Sequence, residues 1–261
     1  MAKTNNRSRK TMAQLETYYY GQGKVFLAPR QANGKPGAFR WIGDVSALSL
    51  ALTVERLNHK ESYSGRRGTV RSFVTNQDGT LTSTWHDLAP ENLAVVLYGE
   101  QVVIPAGTVT GETLPAGITA GERYILDHQR VSDVVIGTLV EGTDYEVDYT
   151  YGAITFLTAQ ATAPSVNYGY AGSVNTTLFT QQPEDFYLRF EGINLAEGGA
   201  AKILELYKIS FSPASALALI QGDTSLAGLE TTSTVLYDNA RPDDPTIGRF
   251  GRVIDVAEPV A

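Results

Sequence analysis

The sequence contains no cysteine, and this absence excludes two kinds of site at once. Without thiols the chain can form neither a disulfide framework nor a thiolate metal site. Methionine and tryptophan (two each) and histidine (three) are also scarce. No apolar run approaches the ~18–20 residues that a helix needs to span a bilayer, so we expect no membrane insertion.

Tyrosine and phenylalanine are the abundant aromatic residues, with 14 and 9 copies, and threonine is frequent. These residue types suit the pleated surface of a sheet, whereas strong helix formers are sparse. A chain of 261 residues is long enough for one large β-domain or two small ones, and it can bury a stable core. The composition therefore predicts a mainly β fold.

Charge is distributed unevenly along this acidic chain, which has a net charge of −7 and a pI near 5.0. Such a protein repels nucleic acid in bulk. Residues 1–17 are polar, partly basic and without periodicity, and we expect a flexible N-terminal arm there. The alternative is an arm that orders against a neighbouring subunit. No apolar segment follows the basic start, which argues against a secretory signal.

Residues 45–54 show the clearest strand pattern, because Leu48, Leu50, Leu52 and Val54 alternate with small residues. Period two with one apolar face predicts that this face packs on a core. The following segment, 55–71, is polar and highly charged. We interpret it as two strand ends joined by a long charged loop, and a polar excursion beyond ~12 residues is usually functional or disordered.

One helix is predicted, at about 88–98. Asp87 is placed to cap it, Pro90 suits its first turn, and Gly99 suits its end. Just before it, Asp78-Gly79 has the composition of a tight turn, followed by a strand over 80–86.

The remaining sequence predicts further strands separated by turns. The best hairpin joins 144–149 to 154–157 around Gly152, and another strand covers 166–170. Later strands are expected at 186–192, 203–211 and 233–237, with a short helical turn at 214–221. We assign 18–239 to one β-domain and 240–261 to a C-terminal arm.

Catalytic and metal-binding patterns are not evident. The three histidines are scattered, and neither an HExxH pattern nor a Gly-x-Ser-x-Gly elbow occurs. Gly65-Arg66-Arg67-Gly68 lacks the ending of a phosphate-binding loop, so we favour a protein contact there. The alternating acids of 144–148 suit a solvated strand face better than a calcium site. We expect no enzyme activity, no cofactor and no metal.

Several stretches, in order, resemble the tail tube (major tail) protein of long-tailed, siphovirus-like bacteriophages. The similar stretches cover about residues 20–240: Val45 to Arg66, Trp85 to Gly99, Glu141 to Asp148 followed by Gly152-Ala153-Ile154, Phe190 to Asn194, and Tyr207 to Pro213.

This resemblance implies a β-sandwich or barrel of the phage tail tube type with one flanking α-helix, about 88–98. It implies homohexameric rings stacked into a tube in the virion tail, assembled in the bacterial host cytoplasm. Implied partners are the tape-measure protein, the tail terminator and distal tail or baseplate proteins, while genomic DNA passes through without specific binding. The candidate inter-subunit or inter-ring contacts are His59, Lys60, Glu61, Ser62, Tyr63, Gly65, Arg66, Arg67 and Gly68.

Three other readings remain open. The first is another virion β-protein, such as a capsid decoration subunit or the tail terminator. The second is a carbohydrate-binding β-sandwich that uses exposed aromatic residues such as Tyr18–Tyr20 and Trp41. The third is an enzyme, which would need a deep pocket with convergent titratable groups.

Overall fold

A computed structural model describes residues 17–222, 224 and 226–256. The described residues form sixteen strands and one α-helix, which confirms the mainly β prediction. In chain order the elements are β1 (Gly21–Pro29), β2 (Arg40–Trp41), β3 (Val45–Lys60), β4 (Thr69–Trp85), α1 (Pro90–Leu97), β5 (Gln101–Ile104), β6 (Gly107–Thr113), β7 (Arg123–Ile125), β8 (Val131–Ile136), β9 (Tyr145–Asp148), β10 (Ala153–Phe156), β11 (Ser165–Tyr170), β12 (Ser173–Thr176), β13 (Asp185–Asn194), β14 (Ala200–Phe211), β15 (Leu229–Val235) and β16 (Gly251–Asp255).

The chain folds as two compact units. The first combines the described parts of Met1–Leu88 and Pro183–Ala261, and the second is Ala89–Gln182. The second unit is therefore an insertion between β4 and β13. The predicted N-terminal arm, except Thr17, lies outside the described residues. Within the predicted C-terminal arm, β16 joins the sheet of the first unit.

The first unit is built on one antiparallel sheet of eight strands. Seven follow the order β2-β1-β13-β14-β15-β4-β3, and the eighth, β16, pairs with β14. Strand β14 has two partners along one edge, because β15 pairs with Ile209–Phe211 and β16 pairs with Lys202–Leu206. Strand β15 ends at Val235, opposite Gly79 of β4. Beyond that point the sheet forks into two branches, β13-β14-β16 and the hairpin β3-β4.

The core of the first unit lies under β4, β14 and β15. The strand predicted over 80–86 is the end of β4, where Leu81, Ser83 and Trp85 are buried on one face. The Trp85 ring packs edge-on against Phe211, with 5.4 Å between ring centroids. The indole N–H of Trp85 donates to Ser83 Oγ at 2.8 Å, and that oxygen lies 2.6 Å from Thr231 Oγ1. The polar side chains of Ser83, Trp85 and Thr231 are thus paired, whereas the buried Ser233 Oγ on β15 has no hydrogen-bond partner among the described residues.

Residues 236–250 cover the opposite face of the same sheet. Here Tyr187 and Tyr207 are buried, and the Arg241 guanidinium stacks 3.8 Å from the Tyr207 ring centroid. Arg30 and Asp238 form an ion pair at 2.5 Å, and the Asp238 side chain is fully buried. Burial alone would raise the pKa of Asp238, but the hydrogen bond from Arg30 and the neighbouring charges outweigh it and lower that pKa below its usual value.

The second unit has its own core, formed by strands of its two three-stranded sheets and by segments that connect them. Its buried side chains include Leu114, Ile118, Leu126, Val131, Ile136, Tyr145, Ile154, Phe156, Val166 and Tyr168. The predicted hairpin is confirmed, because β9 pairs with β10 from Tyr145↔Phe156 to Asp148↔Ala153. Strand β11 likewise confirms the strand expected at 166–170.

The predicted helix is confirmed as α1, but its ends differ from the prediction. The N-cap is Ala89, two residues after Asp87, and no side-chain cap bond is made. At the other end Tyr98, not Gly99, takes the left-handed conformation (φ 51°). Gly99 is needed for a different reason, because a Cβ there would lie 1.8 Å from the Thr177 carbonyl oxygen.

Two local predictions are wrong. Asp78-Gly79 is no turn and lies inside β4, where a Cβ on Gly79 would come within 3.0 Å of Val235 Cβ. Glycine is present here for close packing between strands. The helical turn expected at 214–221 is also absent, since this stretch is an irregular connection between β14 and β15.

Candidate functional site

The most unusual surface of the first unit is the outer part of the β3-β4 hairpin. From Thr53 to Lys60, strand β3 pairs with residues Thr69–Asp78 of β4, and within the described chain with no other strand. Every residue of 53–60 and 69–78 is exposed. The hairpin therefore has solvent on both faces, and no core explains why it should be ordered.

The tip of this hairpin is a compact turn of residues 61–68. The Glu61 N–H donates to the Gly68 carbonyl at 2.9 Å and closes it. Inside the turn the Ser64 hydroxyl donates to the Glu61 carboxylate, and the Arg66 N–H donates to Ser64 Oγ at 3.3 Å. The long loop predicted over 55–71 is thus mostly paired strand, with only eight residues in the turn.

All nine residues predicted as contacts lie together at this tip. His59 and Lys60 end β3, and the others belong to the turn. Tyr63 is 85% exposed. The turn leads directly into β4, so no helix N-terminus follows Gly68 that could hold a phosphate.

Charge separates the hairpin from the rest of the chain. Residues 55–71 contain five arginines and lysines against two glutamates, a net charge of +3. Since the whole chain carries −7, the other residues carry −10. Within the described part of the chain, none of these seven side chains forms an ion pair with another element. The outer hairpin is therefore basic on an otherwise acidic chain.

An apolar cleft of about 350 Å³ lies at the fork of the sheet, between the base of the hairpin and the branch β14-β16. Its apolar lining comes from Leu50, Leu52, Val54, Leu204, Leu206, Val235, Phe250 and Val253. The prediction that Leu48, Leu50, Leu52 and Val54 pack on a core holds only in part. Leu48 and Leu50 are half-buried, whereas Leu52 and Val54 are 74% and 48% exposed.

The sequence could not reveal this cleft, because its walls come from strands about 150–200 residues apart in the chain. The one local sign of the cleft is the apolar alternation of β3. It continues to Val54, two residues beyond Leu52, although β15 on the other side of β4 ends at the level of Leu52. Apolar side chains on a strand without a facing layer are a surface that requires a partner.

The aromatic residues considered for sugar binding are separated. Tyr20 directly precedes β1, and Trp41 pairs with Phe26 of that strand. Phe26 is six residues after Tyr20, so roughly 20 Å of strand separates Tyr20 from the position of Trp41. The Lys202 ammonium lies 5.7 Å from the Tyr19 ring centroid, and the Lys24 ammonium lies 5.3 Å from that of Trp41. These rings therefore do not line one small groove together.

The remaining titratable candidates have structural partners. His86 contacts Ser46 Oγ at 2.8 Å and the Ala227 carbonyl at 3.1 Å. His128 stacks on Tyr170, with 3.7 Å between ring centroids. Asp148 pairs with Arg123 at 3.0 Å, which lowers the pKa of Asp148. Among the described residues, no three histidine or acidic side chains converge on a position that could hold a metal ion.

Comparison with known families places the chain in one of them. Residues 18–254 match the family described as "Protein of unknown function UCP028589", and the chain belongs to this family. No curated protein matches the sequence. No helix in the described part of the chain has the length and apolar character needed to cross a membrane.

Proposed function

We propose that this protein is a structural subunit of the tail tube of a long-tailed bacteriophage and acts by self-assembly rather than catalysis. The observation that carries the proposal is the β3-β4 hairpin, whose outer part is exposed on both faces. A two-stranded hairpin alone in water is marginal, so its length and apolar side chains call for contacts with another molecule. Copies of the same chain supply such contacts in a tube.

The edges of the sheet support ring formation. Strand β3 is 16 residues long and terminal in the sheet, so its outer edge is unpaired within the described chain. At the other end, β2 covers only Phe26 and Leu27 of β1. Long bare edges promote uncontrolled pairing unless another chain occupies them. Pairing of the two different edges between copies would be a heterologous contact, which generates a closed ring when the rotation closes.

In this proposal six copies close each ring and the rings stack, with the hairpin tip as the ring-to-ring contact. The tape-measure protein fills the lumen during assembly. The tail terminator and the distal tail proteins lie at the two ends of the tube. DNA passes through at ejection. The charge of −10 outside residues 55–71 suits a conduit that does not retain DNA.

Deletion of residues 59–68, replaced by a two-residue Asn-Gly turn, tests the proposal. Because none of these residues is buried, the shortened chain should keep the circular dichroism spectrum and melting temperature of the wild type. It should form no tubes under conditions where the wild-type chain does. Tubes of normal length from the deletion variant would remove the hairpin tip from the assembly mechanism.

A carbohydrate-binding module is the main alternative from another class. It would remain a monomer at every concentration and bind a glycan, and the deletion would change neither property. A decoration or terminator protein would form closed trimers or single rings but never open-ended tubes. Electron microscopy of the wild-type protein separates these three outcomes.

A further inference from the structure

The most exposed apolar side chains of the described chain occur in two places. Four large apolar side chains are more than four-fifths exposed: Tyr63 (85%), Leu219 (81%), Ile220 (90%) and Leu226 (81%). Tyr63 lies at the hairpin tip. The other three belong to the connection between β14 and β15, which has neither helix nor strand in its described residues.

These two places lie at opposite ends of one sheet. Trp85, at the end of β4, pairs with Leu229, where the connection enters β15. The tip lies before Thr69, at the other end of the same 17-residue strand. A strand of that length spans ~55 Å, so the two surfaces cannot cover each other within one molecule.

We infer that residues 212–222 form the docking surface for the hairpin tip of a second copy of this chain. This inference rests on the proposed self-assembly and names the surface that the tip meets. One head-to-tail contact covers Tyr63 of one copy and Leu219 and Ile220 of the next. Because each copy retains one free surface of each kind, the contact repeats without limit along an axis.

Charge favours the same pairing. The tip carries Lys60, Arg66 and Arg67. Two exposed acids lie at the end of the sheet where the connection enters β15, since Asp44 directly precedes β3 and Glu230 is the second residue of β15. A basic tip approaching this end of the sheet meets charge of opposite sign.

The absence of cysteine makes a direct test possible, because engineered thiols are the only thiols present. The double variant Tyr63→Cys, Ile220→Cys is assembled and treated with a short bismaleimide reagent. Since the two positions are too far apart to react within one molecule, the inference predicts a ladder of dimers, trimers and longer products on a denaturing gel. Each single variant has one thiol and should stop at dimers.

A second variant tests the energetics. Ile220→Asp should raise the concentration needed for assembly at least tenfold, while the matched control Ile125→Asp, at a 59% exposed position of the second unit, should leave it unchanged. Tubes or rings seen by electron microscopy without products beyond dimers would overturn this inference and leave the tail tube proposal standing. A wild-type protein that does not assemble even after addition of a distal tail complex as initiator, and variants that give no ladder under the same conditions, would contradict both.

Discussion

Leu57 on β3 lies directly opposite Phe73 on β4, and both side chains face solvent, with exposures of 63% and 48%. A cross-strand apolar pair contributes only about 0.2–1 kcal/mol in a sheet, which is too little to hold an isolated hairpin. In the proposed assembly this pair lies in a contact between copies. Burial of both side chains against a second copy would contribute roughly 1.5–3 kcal/mol each.

Replacement of this pair with threonines, Leu57→Thr and Phe73→Thr, should weaken self-association without affecting the fold. Threonine keeps the β propensity of the hairpin but removes most of the apolar area. We expect assembly to require at least tenfold more protein, measured by light scattering, and the free energy of unfolding to change by less than about 0.5 kcal/mol.

The second unit offers a matched control for that variant. Val103 and Val174 also form an exposed cross-strand pair, at 70% and 47% exposure. Val103→Thr with Val174→Thr should assemble like the wild type. If both double variants assemble normally, the hairpin pair is not part of an interface.

Gly79 provides a test of strand packing at the base of the hairpin. Gly79→Val should lower the free energy of unfolding by about 1–3 kcal/mol, because the new side chain would be forced against Val235. Gly68→Ala should change it by less than about 0.5 kcal/mol, since nothing lies within 4 Å of a Cβ there. Denaturant titration measures both. Equal effects at the two glycines would contradict the packing of β4 against β15.

The Arg30–Asp238 ion pair should make stability depend on pH in the acidic range. Asp238→Asn leaves the partly buried Arg30 unpaired and should cost about 3 kcal/mol at pH 7. Because the pKa of Asp238 is lowered in the folded state, its stabilising contribution is complete above the unfolded pKa of about 3.9 and is lost as pH falls through the lower folded value. The difference between wild type and variant should therefore shrink below about pH 4.

Urea unfolding at pH 7, 5 and 3 measures this difference. Asp243→Asn is the control, because the Asp243 side chain is 92% exposed and its ion pair with Arg249 is long, at 3.7 Å. It should not change the unfolding midpoint at any of the three values. If the free energy of unfolding of Asp238→Asn differs from that of the wild type by the same amount from pH 7 to pH 3, the charge of the Asp238 carboxylate is not what stabilises the fold.

Local patterns predicted the elements whose side chains alternate between core and solvent. The buried face of β4, the β9-β10 hairpin and helix α1 each carry a clear period, and each was predicted close to its observed position. The outer hairpin has no buried face, so residues 55–60 and 69–78 show no apolar period and resemble a loop in sequence. Backbone pairing alone orders them as strands.

Long-range pairing explains the other differences. Asp78-Gly79 has the composition of a turn, but its pairing with Leu52 on one side and Val235 on the other keeps it in a strand. Residues 214–221 are rich in alanine and leucine, yet only Ala214 and Leu217 are half-buried and the other residues are exposed, which is too little packing to stabilise a short helix. The contiguous tip residues could be predicted together, whereas the apolar cleft depends on β14 and β16 meeting β3.

The most direct test of the central proposal is negative-stain electron microscopy of the purified wild-type chain at high concentration, paired with its mass from light scattering. The proposal predicts hollow, striated tubes or six-subunit rings, with a mass that rises with concentration. A single monomeric mass at every concentration, even after addition of a distal tail complex as initiator, would contradict the tail tube proposal.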